Sequence, residues 1–156
     1  MKIIYYDSTG QYLAVIAAAF HLNMVSVDNK VEDNQLPKRD TLEKLPYFGN
    51  QEQVKLGQII FVGTDQLGND IYILGSDKVG DVIERVAEGL SRIFQLEAEN
   101  LFIDLTDYED RRLKWGLKLK RIFPSLSVAN RLINHSLRDS FPELLDKVNK
   151  IKKSLK

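Results

Sequence analysis

The sequence predicts an α/β fold, a three-layer sandwich around a mixed, mainly parallel sheet, on three observations. Short apolar, strand-like runs alternate with segments of helical spacing, most connections are short, and one pair of strands is joined too tightly to run parallel. The chain of 156 residues, 44% hydrophobic and 28% charged, has the size and composition of a single α/β domain over 1–156 with a core of its own.

Ile3-Ile4-Tyr5-Tyr6 reads as the first strand and Asp7 to Gln11 as a polar loop. The first helix follows from about Gly10 to Leu22, with Leu13, Ile16, Ala17 and Phe20 at helical spacing and Ala14, Ala18 and Ala19 small enough for close approach to a sheet. Asp28 to Gln35 reads as an exposed loop. After Pro37, Asp40 or Thr41 caps a short helix that ends before Pro46, and Tyr47-Phe48 return to the core. The strands Gln58 to Gly63 and Asp70 to Gly75 are joined by Thr64 to Asn69, and so short a link demands an antiparallel β-hairpin over 58–75.

The clearest helical pattern lies over 77–95, where Val79, Val82, Ile83, Val86, Leu90, Ile93 and Phe94 mark one buried face and Asp77 serves as cap. Leu101 to Leu105 reads as a buried strand, and a basic helix runs from about Tyr108 to Phe123. Gly116 interrupts that helix at about 1 kcal/mol unless close packing requires it. A last strand is expected within Ser125 to Ile133. Ser140-Phe141-Pro142-Glu143 then matches a capping box that opens a closing helix striped by Leu144, Leu145, Val148, Ile151 and Leu155. The order β, α, β, β, α, β, α, β, α is Rossmann-like in kind.

Composition removes whole classes of chemistry. No run approaches the roughly 18 apolar residues of a membrane span and no signal-peptide pattern opens the chain, so no membrane association and a cytoplasmic location are expected. The chain has no cysteine, hence no disulfide, no thiolate nucleophile and no cysteine-ligated metal. With His21 and His135 its only histidines, no metal and no cofactor are expected. His21, on an apolar helix, reads as a hydrogen-bonded structural residue.

Charge divides unevenly along the chain. Residues 1–106 carry 9 Lys+Arg against 16 Asp+Glu, a net of −7, and residues 107–156 carry 13 against 6, a net of +7. These read as two solvated faces, or as a basic patch of Arg111, Arg112, Lys114, Lys118, Lys120 and Arg121 joined by Lys147, Lys150, Lys152 and Lys153. Nucleic acid is not an expected partner: only Trp115 is interleaved with the first cluster, and no recognition motif is present.

Ligands of such folds bind beyond the carboxyl ends of parallel strands. The loops after the first and fourth strands supply Asp7, Ser8, Thr9, Gly10 and Gln11 on one side and Asp104, Thr106 and Asp107 on the other. If the two strands are neighbours, Asp7 can face Asp104 or Asp107 as an acid/base pair or around a cation, while backbone N–H groups of the first loop hold an anion. The alternative is structural: Asp, Ser and Thr before a helix are its preferred caps. The first loop lacks the glycines and lysine of a Walker loop and the G-x-G-x-x-G of a dinucleotide site. Set against the D-x-D of aspartyl-nucleophile phosphatases, Asp7 has Thr9 where the general acid would stand.

The pattern M-K-I-I-Y-Y … G … A-A-A-x-H-L, followed by L-P-Y-F, by I-I-F-V-G-T-D-x-x-G-N-D-I-Y-I-L-G and by the helix Val82 to Phe94, resembles the uncharacterised bacterial family known as domain of unknown function 3189. The resemblance spans nearly the whole chain and brings no established activity. The usual first loop of that family reads Cys-x-Gly-Gly-x-His-Ser-Ser, and the corresponding residues are Asp7, Ser8, Thr9, Gly10, Gln11, Tyr12, Leu13 and Ala14, so only Gly10 matches. A Cys and a His at a helix N-terminus would suit thiolate chemistry or anion binding. Their replacement implies a divergent, non-catalytic member acting through protein contacts, as a homodimer or as partner of an intact relative. The alternatives are a binder of a small anionic or phosphorylated ligand at the first loop and, more weakly, a phosphate-directed hydrolase or transferase using Asp7.

Overall fold

The computed structural model describes residues 1–25, 36–95 and 100–155. It shows an α/β fold with four strands in one mixed sheet: β1 (Lys2–Asp7), β2 (Ile59–Thr64), β3 (Asp70–Gly75) and β4 (Asn100–Asp104). The spatial order is β2-β3-β1-β4. β1 is central and parallel to both neighbours, with Tyr6 opposite Leu74 on one side and Asp104 on the other. β2 and β3 form the expected antiparallel hairpin, with an irregularity between Phe61 and Gly63. Two of the three pairings are therefore parallel.

Alternation along β1 sends Ile3, Tyr5 and Asp7 to one face and Ile4 and Tyr6 to the other. The first face carries the main core. Ile71, Ile73, Ile103 and Leu105 join Ile3 and Tyr5 beneath α1 (Leu13–His21) and the long last helix. All nine residues of α1 are buried, and its alanines allow the close approach expected of them. The second face is smaller, with Ile4, Tyr6 and Leu74 packed against Tyr72, Phe102 and Ile83.

The remaining helices among the described residues are α2 (Arg39–Leu42), α3 (Gly80–Ile93), α4 (Arg111–Ile122) and α5 (Ser127–Ser154), with a 3-10 turn at Thr106–Tyr108. Asp40 and Thr41 lie inside α2 and do not cap it. Tyr47 and Phe48 do pack on the main core. The loop expected over Asp28 to Gln35 lies outside the described residues.

Three expectations fail for identifiable reasons. The strand expected within Ser125 to Ile133 and the helix start at Ser140 are both parts of α5, because Ala129, Ile133, Leu137, Phe141, Leu144, Leu145 and Val148 form one buried helical stripe. Pro142 sits inside that helix, and Ser140 donates its hydroxyl back to the Ser136 carbonyl at 3.0 Å instead of capping a new start. Asp77 does not cap α3: it adopts φ +43° and Lys78 φ +69°, and the cap position falls to Val79.

The third failure is the buried face assigned to α3. Val82, Val86, Leu90, Ile93 and Phe94 are 48–73% exposed, and only Gly80 is fully buried. Gly80 touches the Tyr6 ring so closely that a Cβ would lie 2.1 Å from Tyr6 Cε2, which fixes which side of α3 meets the sheet.

α4 packs on α5 through Gly116, where a Cβ would meet Ile133 Cγ1 at 2.8 Å and the Ala129 carbonyl oxygen at 3.1 Å. Close packing thus accounts for the glycine. Asp110 caps α4, accepting from the Leu113 N–H at 2.7 Å and from the Ser136 hydroxyl at 2.5 Å. No helix among the described residues is long and apolar enough to cross a membrane.

Candidate functional site

β1 delivers Asp7 to the place where the chain turns into α1, and there its carboxylate is 1% exposed. Oδ1 accepts from the Thr9 N–H at 2.7 Å, from the Thr9 hydroxyl at 3.1 Å and from the Gly10 N–H, while Oδ2 accepts from the Ala14 N–H at 2.9 Å. The cap position of α1 is Tyr12, which has no capping side-chain bond. Asp7 therefore does from seven residues away what an N-cap does locally, and it places a negative charge at the positive end of the helix. Gly10 makes this geometry attainable: it adopts φ +70°, and a Cβ there would lie 2.6 Å from the Gly75 backbone nitrogen.

A second carboxylate closes the loop. Glu109 is 5% exposed, and its Oε1 accepts from the Ser8 N–H at 2.7 Å and the Ser8 hydroxyl at 2.6 Å. Burial pushes its acid range up, the nearby Asp7 charge adds to this, and the Ser8 bonds and Lys114 only partly oppose them. The Gln11 N–H turns to the Thr9 hydroxyl at 3.3 Å. The N–H groups of Ser8, Thr9, Gly10 and Gln11 thus all have partners within the protein.

Beyond the ends of β1 and β4 lies an open cleft of about 340 Å³. Its walls carry the carboxylates of Asp81, Asp104, Asp107 and Glu109 and the ammonium groups of Lys78 and Lys114. Tyr6, Gly80 and Thr106 complete them. Asp104 accepts from the Thr106 N–H and hydroxyl, both at 2.7 Å. Burial raises the Tyr6 phenol well above its ordinary range, and the charge of Asp104 and its hydrogen bond with Tyr6 raise it further.

β1 and β4 are neighbours, as the two-loop site requires, yet Asp7 does not face Asp104. Asp104 pairs in register with Tyr6, so it stands on the α3 side of the sheet, whereas Asp7 follows Ile3 and Tyr5 to the α1 side. Asp104, Thr106 and Asp107 come together in the cleft; Asp7, Thr9, Gly10 and Gln11 lie within the protein beside it, and Ser8 joins the two through Glu109. Sequence reasoning missed Glu109, Tyr6, Lys78 and Asp81, and it placed Lys114 in a basic patch and not at this cleft. Glu109 left one trace, its place in the acidic run Asp107-Tyr108-Glu109-Asp110 shortly after β4.

His21 has the structural role expected of it. It is 2% exposed, with Tyr5 Oη 2.7 Å from Nδ1 and Asp65 Oδ2 3.2 Å from Nε2. Burial tends to raise the Asp65 acid range, but hydrogen bonds from Asn69, His21 and Leu67 outweigh it and hold the carboxyl down at about 2. An ionised Asp65 needs a donor, which assigns the proton to Nε2 and leaves Nδ1 to accept from the tyrosine. Burial, more than any other cause, lowers the His21 range despite the Asp65 carboxylate.

The family model described as Protein of unknown function (DUF3189) matches residues 2–153 of the chain. The chain belongs to the DUF3189 family. Neither a curated protein nor a solved structure matches it. In this DUF3189 member the strand-end loop is closed by two internal carboxylates.

Two outcomes follow. Asp7→Asn keeps one acceptor but turns an NH₂ group toward backbone N–H donors, so unfolding free energy should fall by about 2–4 kcal/mol in urea titrations. Because the His21 range is lowered in the fold, the unfolded chain takes up a proton that the native state refuses. Stability should then decline as pH falls through about 6.5, a slope that thermal melts should show and that His21→Gln should remove.

Proposed function

We propose that this DUF3189 protein is a divergent, non-catalytic member, a single three-layer, Rossmann-like α/β domain of the cytoplasm that acts through protein contacts. The observation that carries the reading is the occupied first loop. The donors that would hold a phosphate or a reacting oxyanion are bonded to Asp7 and Glu109 or to Thr9. Among the described residues, no buried side-chain nitrogen or oxygen is left without a hydrogen-bond partner. Asp7 stands where the family's usual loop has its cysteine, and a carboxylate that is 1% exposed and accepts four bonds is poorly placed to attack a phosphorus atom.

Protein contact is supported by apolar surface that the fold leaves open. Trp115, Ile122 and Phe123 are 56–60% exposed on or next to the basic helix α4, and the outer side of α3 is apolar. Exposed apolar groups on this scale are commoner at interaction surfaces than on the remaining surface of a monomer.

One observation favours a second reading, a small anionic or phosphorylated ligand in the cleft: Lys78 and Lys114 face it together. Four carboxylates oppose them there. Thermal unfolding with millimolar inorganic phosphate and a panel of nucleotides distinguishes the readings, since ligand at about 100 times its dissociation constant adds about 2.7 kcal/mol. The contact reading expects no rise in melting temperature. A rise abolished by Lys78→Ala or Lys114→Ala would replace it with the ligand reading.

A further inference from the structure

α3 is inverted relative to its own sequence. The side turned to the protein holds Gly80, Ile83, Glu84, Ala87 and Ser91, of which only Ile83 is a large apolar residue. The stripe of Val79, Val82, Val86, Leu90 and Ile93 lies about a third of a turn away at 3.6 residues per turn and faces solvent, with Phe94 67% exposed beside it. An amphipathic helix normally buries its apolar stripe. The same side of the sheet is bare at its hairpin edge: Ile59 and Phe61 pair with Leu74 and Tyr72, whose side chains belong to the small core under α3, and are 44% and 50% exposed.

We propose that this face is covered by a second copy of the chain, two α3 helices packing antiparallel across a two-fold axis near Val86. This rests on the reading that the protein acts through contacts, and it names the partner. The eight exposed apolar side chains leave on the order of 750 Å² open, close to the roughly 800 Å² that each partner contributes to a stable interface. An isologous contact uses one patch twice, which suits a patch that is apolar throughout. Antiparallel packing sets the Asp81 end of one helix beside the Arg92 end of the other and opposes their dipoles. At Gly89, near the middle of the helix, an added Cβ would meet nothing within 4 Å, which leaves room for a second backbone.

The chain's own remaining segments are poor candidates for this role. Val25 and Leu36, which flank residues 26–35, both pack into the core on the opposite face of the sheet. Those ten residues bring only Val27 and Val31 as apolar side chains, and the four residues 96–99 bring only Leu96 and Ala98.

Light scattering after size exclusion should give twice the 17.9 kDa of the chain at micromolar concentration. Val86→Glu and Ile93→Glu, both at exposed positions, should weaken the dimer at least about tenfold while leaving circular dichroism unchanged. The chain has no cysteine, so single substitutions report geometry directly. Val86→Cys should form a disulfide-linked dimer under mild oxidation. Ile93→Cys should not, because its copies would lie about 20 Å apart across the axis.

A wild-type chain that stays monomeric, a dimer that survives both glutamate substitutions, or a disulfide at position 93 in place of 86 would overturn the proposal. Failure of the underlying reading looks different. It would be a chain stabilised by phosphate or nucleotide through Lys78 and Lys114, whatever its oligomeric state.

Discussion

The structure depends on one buried charge. β1 is the centre of the sheet and α1 is wholly buried, so the turn between them must satisfy a helix N-terminus without water. The Asp7 carboxylate does so with four accepted hydrogen bonds, and the bonds in turn make its burial tolerable. Its main chain fixes the neighbouring strand end as well: the Ser76 N–H and hydroxyl donate to the Asp7 carbonyl at 2.9 and 3.1 Å, and the Asp77 N–H donates to Ser8 O at 3.0 Å. One residue thus ties β1, the start of α1 and the exit of β3 together.

That arrangement supports the proposal that the loop does not serve as an anion-binding element. A strand-loop-helix turn in this position ordinarily offers its N–H groups outward to an anion. Here the anion belongs to the chain, and Glu109 supplies a second one from the segment after β4. The two carboxylates lie close enough that Asp7 helps to raise the Glu109 acid range. An external phosphate would have to displace a side chain and approach two acidic groups, a double cost of lost bonds and like charge.

Local signals in the sequence account for much of the fold. The hairpin followed from a link too short for a parallel return, and β1, α1 and β4 followed from apolar runs bounded by polar loops. What failed depended on information that no single segment carries. α5 looked like a strand and a separate helix because Pro142 and Ser140 imitate a helix start, while the buried stripe from Ala129 to Val148 runs through both. The two-loop site was conditional on β1 and β4 being neighbours, and they are, but the Asp7 and Asp104 side chains point to opposite faces because the register pairs Asp104 with Tyr6. Glu109 could not be placed, since its role is a contact across 101 positions of sequence. The apolar stripe of α3 was read correctly as a pattern, yet the single chain leaves it in solvent, where the proposed second copy would cover it.

The amides of the first loop are bonded internally, and on the proposed reading they are closed to anions. Amide-resolved nuclear magnetic resonance tests this directly. The Thr9, Gly10 and Ala14 N–H groups should exchange with solvent far more slowly than other loop amides, and their signals should stay fixed as inorganic phosphate is added. Fast exchange at these three positions, or a saturable shift on addition of phosphate, would contradict it.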